Sequence, residues 1–329
     1  MMPFVTILIP VRNMARYIEA CLDSLLAQDY PKGKYEILVL DNSSEDGTIG
    51  LVSKYPAPVR LIQMGVHSPA KKYNQIIPRA KGSVLGFVDG DAVLEKSWLK
   101  HVVVPLENPH VAGASGNILT ANTDSTVARV IGYELHDRYS KLPPTIERVA
   151  TMHVVYKKDV LLKIGGFNEK LKTGYDCEIG YRINDAGYKI AYVPNATVYH
   201  NHRSTLQGYF WQQFEYGQYA LPRYLKSPKI ARGDSVTSSW MILQAPVYGC
   251  IAMLFLLASA GLLPSLYPAV LSLALLGFYG FEAGRLSLRY RDLSAFLLLV
   301  LYPLRVIGWG LGATHMLGRI VFTGKVDAG

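Results

Sequence analysis

Val84-Leu-Gly-Phe-Val88-Asp89-Gly90-Asp91 decides how this chain folds. Five apolar or small residues form a short buried strand, and two carboxylates one residue apart sit at its end. The same grammar recurs upstream. Val5–Ile9 is an apolar run closing on Pro10, Glu36–Leu40 runs into Asp41, and Val59–Gln63 is a third strand. Between them, Ala15–Gln28 carries Ile18, Cys21, Leu22, Leu25 and Leu26 at helical spacing. The turn-rich Asn42-Ser-Ser-Glu-Asp-Gly-Thr48 offers helix N-caps, and a helix is predicted around Ala70–Ala80. Strands alternating with helices imply an α/β fold with a doubly wound, Rossmann-like, mostly parallel sheet. Ligands bind such sheets beyond the carboxyl ends of the strands. Asp41, Asp89 and Asp91 therefore share one rim.

A carboxylate at a strand end suits a nucleotide base or ribose, which is the reading of Asp41. Two Asp one residue apart can reach one hard cation, Mn²⁺ or Mg²⁺, which takes oxygen ligands and substrate phosphates. Bound there, the ion would neutralise a diphosphate leaving group. An Asp-x-Asp pair by itself is weak, because such pairs are common in solvated turns. Its place directly after a buried strand, where idle charge is costly, strengthens it.

The 329 residues are 50% apolar and only 18% charged, against roughly a quarter charged in a typical soluble domain. That composition excludes disorder. Cys21, Cys177 and Cys250 lie far apart, which excludes a disulfide scaffold and a zinc-cysteine site. The net charge of +9 permits an anionic partner, but no groove-reading motif points to nucleic acid. Only four acids and six bases fall after residue 232. There Trp240–Leu263 and Leu266–Phe281 carry no charge, and Leu293–Leu317 is broken only by Arg305 and His315. About 20 apolar residues span a bilayer as a helix. Two helices are predicted to cross, near 240–263 and 266–283. The third, near 293–317, reads as a span or as two interfacial half-helices, since Arg305 is costly at mid-membrane. The start lacks the basic region of a signal peptide. Arg223, Lys226, Lys229 and Arg232 precede the first span, and Arg285, Arg289 and Arg291 follow the second. Arg319 and Lys325 lie in the tail. Basic loops stay inside, so residues 1–205 are expected in the cytoplasm, joined by a basic, aromatic connection over 206–236 to a membrane region over 237–329.

Several blocks together resemble a known family. Ile9-Pro10-Val-Arg12-Asn13, Asp41-Asn-Ser43-Ser-Glu-Asp46-Gly-Thr48, Ala80-Lys-Gly82 and Phe87-Val-Asp89-Gly-Asp91 come in the order found in family 2 glycosyltransferases of the GT-A fold. Gly165-Gly-Phe-Asn-Glu169 resembles that family's Gly-Gly-Phe-Asp-Glu element. Gly174-Tyr175-Asp176-Cys-Glu178-Ile-Gly-Tyr-Arg182 resembles its Glu-Asp-bearing helix, with Tyr175 in place of the usual Glu.

The resemblance implies inverting transfer of one sugar from a nucleotide-diphospho sugar, with Asp176 as general base and Asp91 as metal ligand. It places Pro10, Arg12, Asn13, Asp41, Ser43, Lys72 and Asp89 on the nucleotide side. Lys72 and its neighbour Lys71 are the nearest cations for the diphosphate, because the family's frequent Gly-Lys is missing. Similar enzymes bring a C-terminal His to the metal, and of His200 and His202 the second is the expected ligand. Tyr175, Glu178, Arg182 and Trp211 are acceptor-side candidates, with Glu178 equally readable as the i,i+4 partner of Arg182. Gln212-Gln-Phe-Glu215 departs from the Gln-x-x-Arg-Trp of processive synthases, which favours single-sugar transfer to a membrane-held, lipid-linked acceptor. A processive synthase subunit and a non-catalytic sugar-nucleotide binder on the same fold are the alternatives.

Overall fold

The computed structural model describes residues 2–171, 173–226 and 232–323. Lys229 and Lys325, and the side chains of Arg223 and Lys226, lie outside the described residues. In chain order the strands are β1 (Val5–Val11), β2 (Tyr35–Asp41), β3 (Val59–Gln63), β4 (Val84–Val88), β5 (Ala92–Leu94), β6 (Val111–Thr120), β7 (Thr145–Ile146), β8 (His153–Lys157) and β9 (Lys189–His200). The helices are α1 (Ile18–Leu26), α2 (Thr48–Val52), α3 (Pro69–Ile76), α4 (Trp98–Val103), α5 (Thr126–Tyr139), α6 (Lys158–Lys163), α7 (Tyr175–Asp185), α8 (Leu206–Lys226), α9 (Ser239–Ser259), α10 (Leu266–Tyr290) and α11 (Leu298–Thr323). A 3-10 turn, Leu293–Leu297, leads into α11.

The described strands form one sheet in the order β3-β2-β1-β4-β8-β6-β9-β5, with β7 on β9. From β3 to β4 it is wholly parallel, as expected. Ile7, Leu8, Ile37, Val39, Leu85 and Phe87 are all but fully buried, so both faces of this half are covered. The covering helices supply Ile18, Cys21, Leu22 and Leu25 from α1 and Ala70, Tyr73 and Ile76 from α3. Beyond β4 the sheet is mixed: β8 runs antiparallel between β4 and β6, and β5 runs antiparallel to β9.

The chain divides into two compact units. One holds residues 1–121 and 138–201, the other 122–137 and 202–326. The sequence suggests an unbroken catalytic domain to 205, but the structure groups most of α5 with the C-terminal helices. The reason is packing and charge. Val130 of α5 joins Tyr209, Tyr279, Ala283, Leu286, Leu298, Leu301 and Tyr302 in one apolar cluster. Around it Arg129 pairs with Asp292 at 2.9 Å, and Asp137 accepts two bonds from Arg285 at 2.8 and 2.9 Å. Arg305 is buried in protein: its Nη1 lies 3.3 Å from Glu134 Oε1, and its guanidinium covers the Tyr302 ring at 4.6 Å. Within this unit Ser239–Ser259, Leu266–Tyr290 and Leu293–Thr323 are long and apolar enough to cross a membrane.

Candidate active site

The rim is built from loops that follow β1 and β2 and are stitched to one another. Asn13 and Ser43 both adopt left-handed backbone, with φ of 54° and 53°. Asn13 donates its N–H to Ser44 Oγ and accepts from the Glu45 N–H, each at 2.9 Å. Met14 N–H bonds Thr48 Oγ1 at 2.8 Å, and Ala15 N–H bonds Asp46 Oδ2 at 2.9 Å. Arg12 points from this loop into solvent, and Pro10 is the half-buried penultimate residue of β1. Asp41 is buried, and its carboxylate accepts from the Ser44 N–H at 3.2 Å and from the Ser44 hydroxyl. Ser44, not Ser43, therefore holds Asp41. Ser43 itself is exposed.

Helix α3 ties the two halves of the rim together. Its N-cap Ser68 accepts from the Lys71 N–H, and Pro69 opens the first turn. Lys72 and Tyr73 are consecutive and both buried, so they face different groups. Burial pulls the Lys72 pKa below the ordinary ammonium range; the Asp41 carboxylate works against that shift and the Arg12 guanidinium adds to it. Lys72, Asp41 and Arg12 thus share one neighbourhood. Tyr73 senses the other half. Burial raises its hydroxyl pKa, and the charges of Asp89 and Asp176 both contribute. Tyr175 is raised by burial first, then by the same two carboxylates.

The second half centres on β4, β5 and β9. Asp89, Asp91 and His200 each offer one ligand atom, and these atoms lie within 4.8 Å of one another. His200 Nε2 is 3.3 Å from Asp91 Oδ1 and 3.8 Å from Asp89 Oδ2. The register explains the convergence, since Ala92 pairs with His200 across β5 and β9. Asn201 Nδ2 donates to the Asp91 carbonyl at 3.0 Å and fixes the turn. Burial alone would lower the His200 pKa, but hydrogen bonds to and charges on Asp89 and Asp91 push it up to about 10. Two carboxylates and one imidazole suit a divalent ion such as Mn²⁺. Behind His200, His153 of β8 is fully buried, and burial together with the His200 charge lowers its pKa to about 3.

The histidine grouped with the pair is His200, where the sequence favours His202. Period-two alternation would put both on one face, but β9 ends at His200. The His202 N–H donates to Asn122 Oδ1 and its carbonyl accepts from Asn122 Nδ2.

Asp176 occupies the first turn of α7, behind the left-handed Gly174, and accepts the Cys177 N–H at 2.8 Å. Tyr175 joins an aromatic cluster, 6.4 Å from the Tyr73 ring and 6.0 Å from Phe167. Glu178 and Arg182 form a bidentate pair at 2.8 and 2.9 Å, and Arg182 donates to the carbonyls of Ile164 and Gly166. That pair braces α7 against the glycine turn. Asn74 of α3 clamps the turn from the other side. Its Oδ1 accepts from the Phe167 N–H at 2.8 Å, and its Nδ2 donates to the Phe167 carbonyl at 2.7 Å. Gly166, with φ of 71°, leaves room for this clamp: a Cβ there would meet Asn74 Oδ1 at 2.4 Å. Trp211 lies on α8 in the second unit, 53% exposed. Tyr73, Asn74 and His153 were invisible as site residues in the sequence. No motif marks them, and only the pairing of α3 and β8 with the rim reveals them.

Residues 3–215 match the family described as glycosyltransferase like family 2. The chain is 29% identical over 201 residues to glycosyltransferase AglE of Haloferax volcanii, covering 58% of this chain and 64% of that protein. It is 27% identical over 236 residues to the dolichyl N-acetyl-alpha-D-glucosaminyl phosphate 3-beta-D-2,3-diacetamido-2,3-dideoxy-beta-D-glucuronosyltransferase of Methanococcus voltae, covering 66% of this chain and 72% of that one. The alignments thus span about two thirds of these relatives' lengths. The fold resembles that of mannosyltransferase PcManGT from Pyrobaculum calidifontis, solved with GDP-Man and Mn²⁺. That match has a TM-score of 0.65 at 20% identity and covers 94% of this chain and 87% of the other.

Proposed function

The chain belongs to the family 2 glycosyltransferases, with their GT-A fold, and from that premise we propose that it transfers a single sugar from a nucleotide-diphospho sugar to a hydroxyl of a lipid-linked acceptor. One arrangement supports the reading: Asp89, Asp91 and His200 each offer a ligand atom within 4.8 Å of one another, and Asp176 opens α7 next to Tyr175, whose ring stands 6.4 Å from that of Tyr73 on α3. Tyr73 and the adjacent Lys72 are both buried on α3, and the charge of Asp41 raises the Lys72 pKa against the effect of burial.

In this mechanism the nucleoside lies against Asp41 and the diphosphate beside Lys72 and Arg12. The acceptor hydroxyl attacks the anomeric carbon opposite the departing diphosphate, and the configuration inverts. Asp176 takes the hydroxyl proton, a contribution of typically 10²–10⁴-fold. Mn²⁺ or Mg²⁺ held by Asp89, Asp91 and His200 would neutralise the leaving diphosphate as a Lewis acid. The lipid-linked acceptor rests on the dolichyl N-acetyl-alpha-D-glucosaminyl phosphate in one relative's name and on the apolar C-terminal helices. We place the first unit in the cytoplasm, on the charges of Arg285, Arg289 and Arg291.

Asp176→Asn tests the base. Transfer should fall at least 100-fold, in line with general-base magnitudes, while a nucleoside diphosphate still raises the melting temperature. Substantial residual turnover would remove Asp176 from that role. A thermal-shift series of nucleoside diphosphates with and without Mn²⁺ reads the base preference and the metal together.

A further inference from the structure

The third apolar segment differs from the other two in what covers it. In the most apolar stretches of α9 and α10 only 11% and 17% is buried, against 44% for Leu293–Thr323. Much of that cover is α8. Gly308, Gly312 and Gly217 bring the two backbones together: a Cβ on Gly312 would meet the Phe214 carbonyl at 2.1 Å, and one on Gly217 the Trp309 carbonyl at 2.3 Å. Trp309 Nε1 donates to Gln213 Oε1 at 3.0 Å, and Gln218 Nε2 meets His315 Nδ1 at 2.8 Å. Partner numbers rise together along both helices, so α8 and α11 run parallel and side by side.

Helix α8 is not a membrane helix. It is absent from the segments apolar enough to cross, and its outer face exposes Gln207, Trp211 and Glu215 at i, i+4 and i+8. An α11 that crossed the bilayer would carry α8 with it and push Glu215 into hydrocarbon, an expensive place for a carboxylate. The outward face of α11 and its lead-in turn is mostly apolar: Phe296, Val300, Ile307, Leu311, Val321 and Phe322 are exposed at spacings that keep one side of a helix, with Thr314 among them and His315, bonded to Gln218 of α8, at the edge. One apolar face, with a polar seam opposite, is the pattern of an in-plane interfacial helix.

We infer that α11 lies along the surface of the lipid bilayer, apolar stripe inward and α8 on its water side, and that the chain crosses only through the α9–α10 hairpin. This stands on contacts within the second unit and does not depend on the transfer chemistry.

Cysteines introduced one at a time into the full chain test it, with Cys177 and Cys250 replaced by Ser and the buried Cys21 kept. Gln207→Cys, Leu262→Cys and Thr323→Cys, all at exposed positions, are labelled with an impermeant maleimide from each side of native membranes. Thr323→Cys should label from the same side as Gln207→Cys, and Leu262→Cys, in the hairpin turn, from the opposite side. Labelling of Thr323→Cys from the Leu262 side would mean a crossing and overturn the inference. A nitroxide on Glu215→Cys gives a second readout. It should be relaxed more by a water-soluble nickel chelate than by oxygen, and the reverse order would place α8 at membrane depth and sink the proposal.

Discussion

His200 carries two carboxylates within 4 Å, and its protonation is the residue-scale signature of this site. Its folded pKa of about 10 stands above the ordinary 6.5, so between those values the folded chain holds a proton that the unfolded chain has released. Its contribution to stability is complete below about pH 6.5 and disappears as pH rises through about 10. Thermal melts in chelator should show that decline, and His200→Asn should flatten it. An unchanged decline in the variant would assign it to other groups. Mn²⁺ needs the neutral imidazole, so its apparent affinity should climb over the same range. At the nucleotide end, Lys72→Met should weaken nucleoside diphosphate binding by about tenfold, the effect of losing one charge-assisted bond of about 1.5 kcal/mol. Titration calorimetry with and without Mn²⁺ measures it. Asp41, Asp89, Asp91 and Asp176 were legible in the sequence because each sits at a strand or helix end within a recognisable block. Ser44 and His200 were not. Which of two neighbouring polar residues turns inward depends on where φ goes positive and where a strand stops, and neither is written in residue type.

At the scale of elements, α3 and the Gly165-Gly166 turn are one device. Asn74 holds the Phe167 backbone by both its N–H and its carbonyl, and Arg182 holds the same turn through the Ile164 and Gly166 carbonyls. The turn therefore links α3, which faces Asp41 and Asp89, to α7, which bears Asp176. Gly166→Ala combines a left-handed backbone with a Cβ against Asn74 and should cost about 1–3 kcal/mol in chemical denaturation. If the clamp positions Asp176, the same variant also lowers transfer more than it weakens nucleotide binding. Equal losses would reduce the clamp to a stability role. The parallel half of the sheet follows from its apolar runs and intervening helices. The antiparallel β8 does not, because a strand's direction is set by the path of the chain and not by its composition.

Across the whole molecule the second unit is held by charge as well as by apolar packing. Arg305 is buried against Glu134, so removing one partner leaves a buried charge alone. Glu134→Gln should destabilise this unit by about 3 kcal/mol, and Glu134→Leu combined with Arg305→Met should recover most of it. Denaturation in detergent, followed by Trp fluorescence, tests both; equal damage from the single and double variants would argue against the pair. This arrangement explains why a mid-segment arginine is tolerated: its partner comes from α5, some 170 residues earlier in the chain.

The sequence alone determined the alternation of strands and helices, the strand-end carboxylates and the apolar character of the last hundred residues. Those are local properties, set by periodicity, side-chain polarity and chain length. The tertiary structure alone decided that His200 meets the Asp pair, that α3 joins the two halves of the rim and that α5 leaves the sheet to pair with the C-terminal helices. Each of these depends on contacts between segments far apart in the chain, where register and close backbone approach choose among partners that composition leaves equivalent.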